Sequence, residues 1–138
     1  MTNQTKALIA LFASLWLLAA VDDPLEYQLA VRDAGDTIPK DHITVARFRS
    51  ILRQLPATYI ESTEELAART IEAQDTLRAE GIEERLLTIM EGMLTLRTLK
   101  RQRYASMVRA YARARAMGMG HAEALYELQR FLDIVRPR

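Results

Sequence analysis

STEELAARTIEAQDTLRAEG, Ser62 to Gly81, is the stretch that decides the fold. Ser62 followed three residues later by Glu65 is a capping box, in which each residue's side chain satisfies a backbone N–H that a first helical turn leaves unbonded. Leu66, Thr70, Ala73 and Leu77, with Ala67 and Ile71 beside them, repeat at helical spacing, and Glu65 and Arg69 form an i,i+4 pair in the favourable order. The pattern runs to about Glu80, where Gly81 supplies the left-handed stop. A start, a buried face and a stop are therefore all written locally, and they specify a helix.

The same grammar extends in both directions. Upstream, Val45, Phe48, Ile51, Leu52 and Leu55 share one face of a helix over Thr44 to Leu55, with Arg47, Arg49 and Arg53 turned away and Pro56 closing the element. Ala34 to Asp41 (AGDTIPKD) reads as a linker, and Asp23-Pro24-Leu25-Glu26 reads as an N-cap, a proline at the first helical position and a capping-box acid, opening a short helix to about Asp33. Downstream, Ile82, Leu86, Ile89, Met93, Leu96 and Leu99 form one helical stripe, and Tyr104, Met107, Val108, Tyr111 and Ala114 form another. The step from Leu99 to Tyr104 breaks the register, which predicts a bend or break near Thr98 to Gln102; a single helix from Ile82 to Met117 is the other reading. Gly118-Met119-Gly120 ends that element, and a last helix over His121 to Val135 is expected to turn Ala122, Leu125, Leu128, Leu132 and Val135 inward, with Pro137 stopping it.

No strand-period run is present. The predicted fold is all-α, a small bundle of four or five short amphipathic helices behind an N-terminal apolar helix. The expected organisation is residues 1–21 as an export signal or signal anchor, 22–41 as a short helix and linker, and 42–138 as the helical bundle domain.

The N-terminal expectation rests on three adjoining features. Met1 to Lys6 is polar with one cation, Ala7 to Val21 (ALIALFASLWLLAAV) is uncharged, and Asp22-Asp23-Pro24 follows. This is the outline of an export signal, and cations before the apolar run with acids after it direct the rest of the chain outward. Fifteen helical residues reach about 22 Å, short of a hydrocarbon core of about 30 Å, so a signal fits better than a membrane span. Leu18 departs from the small residue that cleavage favours, which keeps an uncleaved anchor in play. The competing reading is a buried core helix of a cytosolic protein.

Composition narrows the chemistry. The chain has 138 residues, 49% of them hydrophobic, and no cysteine, which excludes disorder, a disulfide scaffold, thiol catalysis and thiolate metal sites. His42 and His121 lie far apart in sequence, neither with a second ligand at i+3 or i+4, so no metal site is expected. His121-Ala122-Glu123 matches the H-x-E of zinc deaminases without the cysteines that motif requires, and Ser14, Ser50, Ser62 and Ser106 lack nucleophile-motif surroundings. No cofactor is implied, and a non-enzymatic role is expected.

Charge is the most informative feature. Glu61 to Glu91 holds nine acids and three arginines, net −6, whereas Gly92 to Ala122 holds seven cations and no acid, net +7. The two segments either face each other as packed helices with complementary rims, or the basic one docks an anionic partner. The candidate face is Arg97, Lys100, Arg101, Arg103, Tyr104, Arg109, Tyr111, Arg113 and Arg115. A protein partner or an anionic membrane surface is the expected target, the protein being exported (periplasmic or secreted) or anchored in an inner membrane. The alternative is a cytosolic protein that binds nucleic acid through residues 97–115. A helix-turn-helix would fit the turn at Gly118 to Gly120, but Glu123 and Glu127 at the start of the second helix repel phosphates.

Overall fold

The computed structural model describes residues 22–135. They form six α-helices: α1 (Leu25–Ala34), α2 (Ile43–Gln54), α3 (Thr63–Ala79), α4 (Leu86–Thr95), α5 (Tyr104–Ala116) and α6 (His121–Ile134), with a 3-10 turn at Leu55–Ala57. There is no strand among the described residues, and the protein is all-α as its periodicity predicts. The expected N-terminal apolar helix lies outside the described residues. Among those described, no helix is long and apolar enough to cross a membrane. The chain divides into two compact units, with the division between Ser50 and Ile51.

In the first unit, α1 begins differently from expectation. Pro24 occupies the cap position with extended backbone, and Tyr27 N and Gln28 N reach its carbonyl at 3.0 and 3.1 Å, with no side chain capping the helix. The two acids expected to cap are drawn elsewhere: Asp23 pairs with Lys40 at 3.1 Å and Glu26 with Arg49 at 3.2 Å. Tyr27 donates its hydroxyl to Ile38 O at 2.9 Å, tying the linker back to the helix. In α2, Val45 and Phe48, and beyond the division Ile51, Leu52 and Leu55, are buried as the stripe predicts, while Arg47, Arg49 and Arg53 are exposed.

The second unit is built on α3. Its capping box is formed, with Glu65 N donating to Ser62 Oγ and Ser62 N donating to Glu65 Oε2, both at 3.2 Å. Leu66, Ala67, Thr70, Ala73 and Leu77 are buried, and Gly81 takes φ 77°, the left-handed stop. The next helix does not begin at Ile82. Gly81 N and Ile82 N turn back to Arg78 O and Leu77 O, and Gln74 Nε2 donates to Glu84 O at 2.9 Å, so residues 82–85 are held as a loop. Helix α4 starts at Leu86, where Leu86, Ile89, Met90 and Met93 are buried.

The break between the two stripes is present, and the continuous-helix reading is overturned. Residues 96–103 are non-helical, with Leu96 extended at ψ 134°. Neither glycine nor proline causes the break. Instead the loop is bonded at two places: Gln129 accepts from Arg97 N at 2.8 Å and donates to Arg97 O at 3.1 Å, while Ile60 N donates to Gln102 O and Gln102 N to Thr58 O at 3.0 and 2.8 Å. Helix α5 then packs against α3. At one end Ala105 N donates to Glu61 Oε2, and at the other Arg115 reaches Glu84. In α6 the buried stripe is Ala124, Leu128 and Leu132, with Leu125 half-buried. Ala122 and Val135, expected inside, are exposed, because the helix is rotated to bring its His121 and Leu125 side against Gly92 of α4. A Cβ at Gly92 would lie 2.9 Å from His121 Cε1 and 3.0 Å from Leu125 Cδ1, so a side chain there would hold α4 and α6 apart.

Candidate functional site

The nine residues of the predicted basic face have three different fates. Tyr104 and Tyr111 are on the buried side of α5 and are fully enclosed. Tyr104 lies edge-on to Tyr59, with ring centroids 4.9 Å apart. Thr70 gives its single hydroxyl proton to Leu66 O at 2.8 Å, so the 2.6 Å contact between the Thr70 and Tyr104 oxygens is donated by Tyr104. Tyr59 in turn donates to Met93 O at 2.7 Å. Burial raises the pKa of both phenols well above its ordinary value, with the charge of Glu61 adding to the effect.

Arg101 and Arg115 are also used internally. Arg101 Nη2 donates to Tyr59 O at 2.8 Å. Arg115 Nη1 donates to Glu84 Oε2 at 2.6 Å and to the Tyr111 oxygen at 3.2 Å. An arginine has no acceptor, so Tyr111 accepts from it, and the Tyr111 hydroxyl and His121 Nδ1, 2.7 Å apart, share a further hydrogen bond. Glu84, Arg115, Tyr111 and His121 thus form one hydrogen-bonded chain linking the loop before α4 with α5 and α6. Burial raises the Tyr111 pKa, opposed by the Arg115 charge. Burial also works against the Arg115 charge, but its bonds to Glu84 and Tyr111 outweigh that and its pKa rises. The pairing of acidic and basic segments weighed from sequence is realised here, with both partners shielded from solvent. Sequence reading placed His121 only as a residue at a helix start; its bond crosses a turn to a tyrosine ten positions back, and no periodicity signals that.

The remaining five cations are Arg97, Lys100, Arg103, Arg109 and Arg113. They are exposed, and among the described residues their charged groups have no carboxylate partner. The fold splits them. Arg97 and Lys100 line a cleft of about 330 Å³ with Leu99, Leu132 and Val135, where Leu99 is 68% and Val135 54% exposed. Arg109 and Arg113 border a second groove, of about 340 Å³, between α3 and α5. Arg103 sits at the cap position of α5. Among the described residues no group of three or more His, Asp or Glu is arranged to hold a metal ion. His42 accepts the Thr44 N–H on Nδ1 at 3.1 Å, a bond at the start of α2.

A family model described as MoxZ matches residues 26–131, from the first turn of α1 into the last turn of α6. The chain belongs to the MoxZ family. The MoxZ match takes in the groove between α3 and α5, the Glu84 to His121 chain and the loop between α4 and α5, and ends before Leu132 and Val135 of the first cleft. No curated protein and no solved structure matches the chain. What is established is a small, all-helical MoxZ-family protein.

Proposed function

We propose that this MoxZ-family protein is non-enzymatic and acts by contact, exported or held at the inner membrane through residues 7–21, with its helical part docking an anionic envelope surface. The observation that carries this reading is the cleft of the α4–α5 loop, where the unpaired cations Arg97 and Lys100 flank the exposed apolar side chains of Leu99 and Val135. Cations beside exposed apolar groups suit a phospholipid surface, where headgroups take the charge and the acyl boundary takes the apolar side chains. A non-enzymatic role is supported by the fate of the groups that might do chemistry: Tyr59, Tyr104, Tyr111, Arg115 and His121 are all engaged in internal bonds.

Two measurements test it. Cell fractionation with intact-mass analysis should find the protein outside the cytosol, either lacking about the first twenty residues or intact in the membrane; an intact species in the soluble cytosol overturns the export reading. Sedimentation with vesicles of phosphatidylglycerol should retain the protein, and an Arg97→Ala, Lys100→Ala, Arg103→Ala variant should partition about a hundredfold less, given about 1 kcal/mol per basic residue at such a surface. Equal binding by the variant overturns the docking reading. Arg101 is left in place because its bond to Tyr59 O supports the fold.

A further inference from the structure

The last turn of α6 turns apolar side chains to water. Phe131, Ile134 and Val135 are 59%, 75% and 54% exposed, and Leu99 of the α4–α5 loop, which lines one cleft with Val135, is 68% exposed. These four are half of the large apolar side chains left exposed among the described residues, so the exposure is concentrated rather than scattered. Phe131 and Val135 stand one turn apart, with Ile134 three positions from Phe131, so the three share a face of the helix. At the other end of α6 that face is acidic. Glu123, about three turns before Ile134, is exposed in the first turn, and Glu127, half-buried, is bound by Arg130 at 3.2 Å. The helix is thus segregated along its axis, acidic at its start and apolar at its tip. Arg97 and Lys100 line the cleft beside the tip, and in the sequence Val135 is followed by Arg136, Pro137 and Arg138.

We infer that α6 enters an anionic phospholipid surface tip-first, with Phe131, Ile134, Val135 and Leu99 passing the headgroups and Glu123 staying in water. The inference rests on the envelope-docking reading and adds to it the orientation in which the protein sits. A helix that lies flat in an interface buries one apolar stripe along its whole length. Helix α6 has no such stripe, because the face that ends in Phe131 and Ile134 begins in Glu123 and Glu127, which anionic headgroups repel. Entry by the tip removes the conflict. At about 1.5 Å per residue, Glu123 lies about 16 Å along the helix from Ile134, beyond a screening length of about 8 Å at physiological salt. The cations beside the tip meanwhile meet the headgroups.

The chain has no cysteine, so one introduced by substitution carries a single environment-sensitive nitrobenzoxadiazole label. Phe131→Cys, Ile134→Cys and Glu123→Cys all fall at exposed positions, and unchanged helical circular dichroism checks that each full-length variant folds. On vesicles of phosphatidylglycerol the labels at positions 131 and 134 should shift their emission to the blue and be quenched severalfold by lipid carrying a nitroxide on its acyl chain. The label at position 123 should keep its aqueous emission and escape quenching. Because the apolar residues 7–21 offer the full chain a second hold on a vesicle, the labels and not sedimentation decide the orientation. Quenching at all three positions would mean that α6 lies flat, and labels at 131 and 134 that stay in water on sedimented vesicles would mean that the tip does not enter. Either result overturns the inference and leaves the docking reading standing. A chain that does not sediment with the vesicles overturns the docking reading and the inference with it.

Discussion

Tyr111 is the hinge of the hydrogen-bonded chain that begins at Glu84, since it accepts from Arg115 and is bonded to His121. Replacing it by phenylalanine keeps the ring and removes both bonds, leaving Arg115 short of an acceptor in a site where its Nε is already buried without a partner. Tyr111→Phe is expected to lower unfolding stability by about 1–3 kcal/mol, read from the urea midpoint. At Gly92 the opposing groups are close and one is tethered, because His121 is bonded to Tyr111. Gly92→Val should cost about 1–3 kcal/mol by forcing α4 and α6 apart; a variant as stable as wild type would show that α6 can shift without cost. Neither residue's role was legible in the sequence. Tyr111 reads as a member of a helical stripe and of the basic face, and Gly92 only as the first residue of the basic segment. Both roles are set by the packing of α6 against α4 and α5, which no local pattern encodes.

Elements specified by their neighbours in sequence were legible, and those specified by tertiary partners were not. Helix α3 carries its own start and stop, and both formed. Ser62→Ala should therefore cost about 1 kcal/mol, detectable as a lower urea midpoint with an unchanged slope. The break before α5 was legible as a change of register, but the start of α4 was not, because residues 82–85 are held by α3 carbonyls and by Gln74. The register of α6 was misplaced at both ends for a similar reason, its rotation being set by contact with Gly92. For the candidate site, composition indicated which residues were cationic. It did not reveal that two of the arginines bond to groups of the fold itself and that both tyrosines are buried. The loop between α4 and α5 offers a test of backbone against side chain. Gln102→Pro removes the N–H given to Thr58 O and should destabilise by about 1–3 kcal/mol, whereas Gln102→Ala keeps that bond and should lie within about 0.5 kcal/mol of wild type.

At the scale of the whole molecule, three enclosed phenols make stability depend on alkaline pH. Tyr59, Tyr104 and Tyr111 ionise above their ordinary value of about 10 while the chain is folded, and near it once unfolded. Below that value their contribution is complete. As pH rises through it, the unfolded state releases protons that the native state retains, and stability falls by up to about 1.4 kcal/mol per pH unit for each tyrosine. Urea midpoints followed through this range should decline, and Tyr104→Phe should decline less steeply; parallel profiles would count against the burial of Tyr104. The small bridge that joins residues 58–60 to Gln102 has a consequence of another kind. Its two amides, Ile60 N–H and Gln102 N–H, connect the two ends of the excursion that contains all of α3 and α4. Closing so long a loop is entropically expensive until the helices within it have collapsed, so these bonds belong late in folding. In deuterated solvent the same two protons should exchange together, as paired reporters of the moment at which that excursion opens.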